Sequence, residues 1–224
     1  MKQKIIIAGN AITAEILSVY IENDPRYEIC GFAVDDEFID QSTKVIGPTI
    51  GLSEVLGAFS PDQYHVIMAM GYSDLNRARQ SMFDRLKALD YKMESYIHPD
   101  ARVNADAPLG EGVVVLPGAV IEPYAQVGKN SMIWSNTTLA HHSIVGENCW
   151  LAAGAVISGQ AKVMGNTFLG VNSTVVNEIT VEEFNIIGAG ALITRNTKPY
   201  SVHLARSAEP FRYSSEDYVK HFGN

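Results

Sequence analysis

Aliphatic residues recur at every sixth position through the second half of the chain. Every sixth residue from Ile97 to Ile193 is isoleucine, leucine or valine, without a break. This period does not fit an α-helix, whose apolar positions recur every three or four residues. Strict self-similarity at a fixed short period is typical of repeat architectures. The pattern therefore predicts a solenoid of short strands and turns over residues 97–198.

The other positions of the six-residue repeat indicate how the solenoid turns. The third residue after each aliphatic position is mostly Gly, Asn or Asp. The fourth residue after it mostly has a small side chain. Gly, Asn and Asp tolerate the positive φ of a sharp turn. Three repeats then form one triangular coil, and residues eighteen apart stack at roughly the 4.8 Å strand spacing. We predict a left-handed parallel β-helix.

The first 96 residues show a different pattern, in which apolar runs alternate with segments of helical periodicity. Such alternation predicts a small parallel α/β sheet of Rossmann-like type. The predicted strands are 4–8, 27–34, 45–51 and 64–70, and the predicted helices are 11–23, 53–59 and a segment from Ser73 or Asp74 to residue 89. Residues 199–224 are predicted to form a tail with a short helix, Ser215–Phe222.

Five turn positions of the solenoid break the Gly, Asn or Asp rule. They are Tyr124, His142, Gln160, Glu178 and Phe184. The first four are spaced by eighteen and stack along one corner, where the preceding residues form a second column: Pro123, His141, Gly159 and Asn177. At this corner, four successive coils lack the residue types that favour a sharp turn. We therefore take the corner as a candidate active site, centred on His141 and His142. Packing against a neighbouring subunit is the alternative explanation.

Composition limits the possible partners. The net charge of −8 gives no support to binding of nucleic acid or anionic membranes. No segment is long enough to span a bilayer, and the apolar run at the N-terminus is too short for a signal peptide. Neither Cys30 nor Cys149 belongs to a disulfide or metal motif, so we expect a cytoplasmic protein without a metal.

The carboxyl ends of the predicted parallel strands form a candidate substrate site, because ligands bind at that edge of such sheets. Gly9 and Asn10 precede a helix, so their backbone N–H groups could bind a phosphate. The segment after the first strand lacks a G-x-G-x-x-G fingerprint, which argues against a full dinucleotide. The candidate residues are Gly9, Asn10, Asp35, Asp36, Gly71 and Tyr72.

An α/β domain fused to a hexapeptide β-helix, with the segment Leu-Ala-His-His-Ser-Ile-Val-Gly at 139–146, resembles one family. It is the bacterial sugar acyltransferases grouped with sialic acid O-acetyltransferase, which include N-acetyltransferases of nucleotide-linked 4-amino sugars. The resemblance implies that His141 is the catalytic base and that the protein is a homotrimer. It also implies that acetyl-CoA lies between neighbouring β-helices and that Gly9, Asp35 and Asp36 hold a nucleotide sugar.

The chain departs from the family pattern at three places. Many members have Glu or Asp after the catalytic histidine, where this chain has His142. Many have a second histidine nine residues after the catalytic one, where this chain has Trp150. The family's Gly-x-Pro-Ala ending is replaced by Val-His-Leu-Ala-Arg-Ser-Ala-Glu at 202–209.

Acyl transfer to an amine requires a base and stabilisation of an oxyanion. A histidine on an exposed turn suits the first task, and the N–H of Gly159, one coil above His141, suits the second. Cys149 is predicted to point inward, so no covalent intermediate is expected. The candidates for contacts with CoA are Gly159, Asn177, Lys162, Arg195, Lys198 and Arg206.

With this resemblance, we expect an acetyl-CoA-dependent N-acetyltransferase of a nucleotide-linked amino sugar, most readily of the 4-amino-4,6-dideoxy type. The resemblance also implies a role in polysaccharide biosynthesis. Sugar O-acetylation, as of a sialic acid, is an alternative on the same fold. A γ-type carbonic anhydrase would need three converging histidines, whereas only His141 and His142 lie inside the solenoid and His98 lies at its first coil. A non-catalytic scaffold or sugar-nucleotide sensor is the remaining alternative.

Overall fold

The computed structural model describes residues 2–39, 45, 47–104, 106 and 109–223. An α/β unit comes first, with a parallel sheet in the order β3-β2-β1-β4-β5. Its strands are β1 (Gln3–Ala8), β2 (Tyr27–Val34), β3 (Thr49–Gly51), β4 (His65–Met68) and β5 (Lys92–Met93). Its helices are α1 (Ile12–Glu22), α2 (Val55–Ala58) and α3 (Arg77–Ala88), with a 3₁₀ turn at Asp36–Phe38.

The predicted elements of this unit are present. The run Ile5, Ile6 and Ile7 in β1 is fully buried, as expected of a central parallel strand covered on both faces. The strand predicted at 45–51 is observed at Thr49–Gly51, and Ile46 lies outside the described residues. The predicted start of α3 was wrong, because residues 74–76 adopt positive φ and the helix begins at Arg77.

The second unit is a left-handed parallel β-helix with three faces, which confirms the predicted fold. Strands eighteen residues apart pair in register, as in Met132 with Trp150. Face 1 contains Tyr96–Ile97, Val114–Val115, Met132–Ile133, Trp150–Leu151, Phe168–Leu169, Ile186–Ile187 and Val202–His203. Face 2 contains Arg102–Val103, Val120–Ile121, Thr138–Leu139, Val156–Ile157, Thr174–Val175 and Leu192–Ile193. Face 3 contains Gln126–Val127, Ile144–Val145, Lys162–Val163 and Thr180–Val181.

The interior of the β-helix follows the sequence repeat. The aliphatic positions from Val115 to Ile193 form one buried cluster. Small residues fill the inner corners, and several bond upward to the next coil. The Ser131 hydroxyl donates to the carbonyl of Gly146 at 2.8 Å, and the Thr167 hydroxyl donates to that of Glu182 at 3.1 Å. These bonds satisfy buried polar groups that the tight corners would otherwise leave unpaired.

The five exceptional turn residues keep the left-handed backbone of the other turns. Their φ values are 66° for Tyr124, 59° for His142, 61° for Gln160, 62° for Glu178 and 55° for Phe184. A side chain with a Cβ costs about 1–2 kcal/mol in this conformation. The stacking of the coils therefore imposes the turn even where the residue type does not favour it.

The β-helix ends with an abbreviated coil. The side-chain oxygen of Asn196 accepts a hydrogen bond from the Thr180 N–H at 2.9 Å, in place of a backbone partner. The chain then adds Val202–His203 to face 1, four residues beyond the predicted end of the β-helix. The predicted tail helix is confirmed as α4 (Ser215–Phe222), whose N-terminus is capped by the Ser214 hydroxyl.

The α/β unit packs on face 1 of the β-helix. Ile5, Leu17 and Tyr27 share a buried cluster with Met132 and Trp150. The three faces of a coil follow one another as face 1, face 2 and face 3, so the corner between faces 2 and 3 lies opposite face 1. That corner carries His141 and His142, and it therefore lies across the prism from the chain's own α/β unit.

Candidate functional site

The His corner comprises residues 123–124, 141–142, 159–160 and 177–178, which stack between faces 2 and 3. The register is direct, since the Gln160 N–H donates to the His141 carbonyl at 3.0 Å. Both His141 and His142 are exposed. The backbone N–H of His141 donates to Oε2 of Glu122, one coil below, at 2.8 Å. The Glu122 carboxylate thus holds the turn on which the candidate base stands.

The imidazole of His141 lies against the backbone of Gly159. A Cβ at Gly159 would lie 2.6 Å from Cε1 and 2.7 Å from Nε2 of His141, closer than side-chain contacts allow. Gly159 itself is buried and does not adopt a left-handed φ. The glycine is therefore required by the neighbouring His141 ring and not by its own backbone conformation. Its proposed role as an oxyanion donor remains a prediction.

The side chain of His142 lies between His141 and Tyr124. The Nδ1 atoms of the two histidines are 3.3 Å apart. On its other side, the ring of His142 is 4.7 Å from the ring of Tyr124, at an angle of 33°. Two of the four turn exceptions thus form one aromatic column that ends at the candidate base.

Replacing Gly159 with alanine is expected to lower the kcat for acyl transfer about tenfold or more, because misplacing a reacting group has effects of this size. The new methyl group would displace the His141 ring, while the backbone of residue 159 accommodates alanine. Steady-state kinetics test this against Gly57→Ala, since a Cβ at Gly57 meets nothing within 4 Å. An unchanged kcat in Gly159→Ala, at unchanged stability, would contradict the conclusion that the position of the His141 ring against Gly159 matters for catalysis.

The predicted substrate residues lie together at the carboxyl edge of the sheet, as expected for parallel strands. The Asp35 carboxylate pairs with Arg85 at 2.5 Å, and the Asp36 carboxylate accepts from the Ser53 hydroxyl at 2.9 Å. The amide of Asn10 donates to the carbonyl of Phe38 at 3.0 Å. A shallow surface depression there is lined by Asp35, Asp36, Ser53 and Arg85.

Two of these candidate substrate residues, Gly9 and Tyr72, also have a role in the fold that does not depend on a substrate. Gly9 has φ of 122°, and a Cβ there would lie 2.8 Å from the carbonyl oxygen of Ala69. Tyr72 packs on face 1, where its ring is 5.2 Å from that of Trp150 and 4.5 Å from that of Phe168. Tyr72 therefore joins the two units, and its role in substrate binding remains a prediction.

Within one chain the structure does not bring the strand-end residues to His141. The α/β unit covers face 1, and the His corner is opposite that face. The two halves of the predicted site are therefore separated within the single chain. The sequence could not show this, because it predicts each unit without their relative placement.

Arg79 is the most important residue that the sequence analysis missed. Its side chain is fully buried in α3, and desolvation lowers its pKa to about 10. The guanidinium donates to the carbonyl oxygens of Gly71, Asn130, Asn148 and Cys149 and to the amide oxygen of Asn76. Arg79 thereby ties the strand-end loop to two successive coils of the β-helix. A signal existed, since Arg79 shares the helical stripe of Met82, Phe83 and Leu86.

The residues predicted to contact CoA are spread over two surfaces. Asn177 and Arg195 continue the column of His141 and are exposed, whereas Lys162 points outward from face 3. Lys198 and Arg206 lie in the C-terminal segment, where the carbonyl of Lys198 accepts from the Asn185 amide at 2.9 Å. Their contacts with a cofactor remain predictions.

Cys149 points into the β-helix, as predicted. It is fully buried, and desolvation raises its pKa to about 12, so the thiolate is not available at neutral pH. In the described ranges, no group of three or more His, Cys, Asp or Glu side chains is placed to bind a metal ion. None of the helices described has the length and apolar character needed to cross a bilayer.

A family model matches part of the chain, and solved structures match the fold of most of it. Residues 91–199 match the family model described as the GMPPB C-terminal domain, and no curated protein matches the chain in sequence. The acetyltransferase domain of PglB from Neisseria gonorrhoeae superposes with a TM-score of 0.81 at 24% identity, over 94% of this chain and 100% of that domain. The structure of the same domain in complex with acetyl coenzyme A superposes with a TM-score of 0.58 at 26% identity. This alignment also covers 94% of this chain and 100% of that domain.

A second solved structure has the same two-part architecture. It is PerB from Caulobacter crescentus, in complex with CoA and GDP-perosamine, with a TM-score of 0.71 at 21% identity. The alignment covers 90% of this chain and 94% of PerB. The α/β sheet, the β-helix and their order along the chain are thus common to all three structures. The chain therefore has the fold of the hexapeptide-repeat bacterial sugar acyltransferases.

Proposed function

We propose that this protein is an acyltransferase that transfers the acetyl group of acetyl-CoA to the amine of a nucleotide-linked amino sugar. The observation that carries the proposal is the exposed imidazole of His141, seated over Gly159 at the corner of a β-helix. Two supporting facts come from proteins of the same fold. The PglB domain binds acetyl coenzyme A, and PerB binds CoA together with GDP-perosamine, a nucleotide-linked amino sugar.

In the proposed reaction the amine nitrogen attacks the thioester carbonyl carbon. Nε2 of His141 accepts one proton from the nitrogen as the new C–N bond forms. The carbonyl oxygen becomes an oxyanion, for which the N–H of Gly159 is the proposed donor. When the tetrahedral intermediate collapses, the C–S bond breaks and CoA leaves as a thiolate that takes up a proton. The acceptor is proposed to be a 4-amino-4,6-dideoxy sugar.

The site also requires a second copy of the chain. The outward positions of face 2 after Arg102 are uncharged and half-buried to exposed: Val120, Thr138, Val156, Thr174 and Leu192. The outward positions of face 3 are more polar and include Gln126 and Lys162. Face 2 borders the His corner, so a copy packed there would add its surface beside His141. We propose a homotrimer in which each active site lies between two subunits.

Replacing Val156 with arginine is expected to convert the trimer into monomers and to abolish turnover. The substitution places a charge in the centre of face 2, where burial against another subunit would leave it unpaired. Native mass spectrometry and the activity assay measure the two effects. The control Gln126→Arg introduces the same side chain at an outward position of face 3. A monomeric wild-type enzyme with full activity, or a trimer unaffected by Val156→Arg, would contradict the proposed assembly.

The reaction itself is tested by thiol release from acetyl-CoA with a panel of acceptors. The panel contains UDP-, dTDP- and GDP-linked 4-amino-4,6-dideoxy sugars, their 3-amino analogues and free sialic acid. Turnover of one nucleotide-linked amine is the expected result and identifies the substrate. Turnover of sialic acid alone would assign the protein to sugar O-acetylation. Absence of both turnover and acetyl-CoA binding would refute the acyltransferase proposal.

A further inference from the structure

We infer that His142 is a positioning residue that selects the catalytic tautomer of His141 through a shared proton between their Nδ1 atoms. The inference rests on the proposed function for its kinetic consequences, but its structural basis is separate. The two Nδ1 atoms are 3.3 Å apart, and both rings are on the exposed His corner. At this distance one nitrogen must donate and the other must accept, because two lone pairs or two protons would repel.

The direction of this hydrogen bond decides whether His141 can act as a base. If His142 donated, the neutral His141 ring would carry its own proton on Nε2, and that nitrogen could not accept another. If His141 donates, its Nδ1 holds the proton and Nε2 keeps a free lone pair. The second arrangement requires His142 to carry its proton on Nε2. The tautomer of His142 therefore determines that of His141.

The surroundings favour a fixed His142 ring. The Tyr124 ring packs against it at 4.7 Å, and the backbone of residue 142 is held at φ of 59° by the coil below. The Glu122 carboxylate accepts from the backbone N–H of His141. Gln160 and Glu178 follow on the same corner in the next two coils. Glu122 is the carboxylate in contact with the pair, and it binds the backbone and neither ring, which leaves His142 as the partner of the His141 ring.

The pair also provides a route for the proton. When Nε2 of His141 takes the proton of the amine, the Nδ1–H bond of His141 breaks and a new N–H bond forms at Nδ1 of His142. The Nε2 proton of His142 then passes to water. Both rings are then neutral, and the starting tautomers return when Nε2 of His141 gives its proton to the leaving CoA thiolate, Nδ1 of His142 returns its proton to Nδ1 of His141, and water reprotonates Nε2 of His142.

The kinetic test compares two substitutions of His142. His142→Asn keeps the turn, since asparagine adopts positive φ readily, and removes the titrating ring. We expect its kcat to fall about ten- to a hundredfold, as for loss of a histidine's orienting partner, with the KM of both substrates little changed. His142→Asp restores most of kcat and moves the acid limb of the pH profile to higher pH, because a neighbouring carboxylate favours protonated imidazole.

Phe184→Asn is the matched control, because it places asparagine at a turn residue of the same left-handed conformation on another corner of the β-helix and leaves both histidines. Its kcat is expected to stay within about twofold of wild type, as for changes outside a functional unit. A wild-type kcat and an unshifted pH profile in His142→Asn would overturn the inference. A general loss of structure would instead lower kcat in the asparagine and aspartate variants alike.

A spectroscopic measurement tests the inference without any substrate. In free, ¹⁵N-labelled trimer, the imidazole nitrogen shifts report which nitrogen of His141 carries the proton. We expect Nδ1–H in the wild-type protein and a shift towards Nε2–H in His142→Asn. Equal shifts in the two proteins would overturn the inference even if the enzyme is active. If no acceptor of the panel is turned over, the proposed function fails, and this measurement alone decides the pairing.

Discussion

We expect replacement of His141 with alanine to lower the turnover of acetyl-CoA and acceptor by at least about a hundredfold, the lower range for removal of a general base. The amine of a sugar is protonated for much of the time at neutral pH, and it must lose a proton to form the amide. His141 is the exposed imidazole that lies against Gly159, and its Nδ1 is 3.3 Å from Nδ1 of His142. Thiol release under saturating substrates measures the loss.

The loss must be separated from an effect on folding or assembly. His141 is exposed, so His141→Ala should retain the unfolding midpoint and the mass of the native oligomer. His221→Ala is the matched control, because His221 is an exposed histidine of α4 whose ring donates to the carbonyl of Asp217 and stacks on Tyr213, both in the C-terminal segment. Full activity of His141→Ala would remove His141 from the mechanism and, with it, the inference about His142.

Replacement of Arg79 with methionine is expected to lower the free energy of unfolding by about 3–5 kcal/mol, the range for removing one partner of a buried charged group. Methionine fills much of the volume but donates no hydrogen bond. The carbonyl oxygens of Asn130, Asn148 and Cys149 would be left buried and unpaired, each at a cost of about 1–3 kcal/mol before relaxation. Arg79→Lys retains the charge, but it cannot reproduce the planar fork and should also be destabilised.

Urea unfolding monitored by tryptophan fluorescence measures this effect directly. Trp134 and Trp150 are the only tryptophans in the chain, and both belong to the cluster between the α/β unit and face 1. Arg85→Ala is the matched control on the same helix, since its exposed ion pair with Asp35 is worth about 0–1 kcal/mol. An Arg79→Met variant no less stable than Arg85→Ala would show that Arg79 does not hold the two units together.

The local chemistry of the chain predicted most of the fold. The six-residue period specified the β-helix because a buried position, a turn and a small corner residue recur together. Each coil therefore has the same strands, turns and corners as the one before it. The helices and strands of the first unit followed from apolar runs and helical spacing in the same way. The start of α3 could not be predicted in this way, because residues 74–76 adopt left-handed conformations that their residue types do not indicate.

The candidate site was predictable only where it depends on the repeat. The eighteen-residue coil placed His141 beside Gly159 and His142 beside Tyr124, since stacking converts sequence separation into contact. Glu122 was missed because it contacts the backbone of His141 and not a side chain. Arg79 was missed because an arginine in a helix usually faces solvent, and nothing local indicates that five acceptors converge on it.

The sequence by itself determined the two units, their order and the corner that carries the candidate base, because these follow from short-range periodicity and from a register set by the chain. Only the tertiary structure decided how the units meet. Apolar residues scattered over β1, α1 and face 1 combine into one cluster, and the buried Arg79 adds directional bonds. That packing places Asp35 and Asp36 on one side of the β-helix and His141 on the other. This placement depends on surfaces that form only after each unit has folded. Local sequence patterns therefore do not predict it.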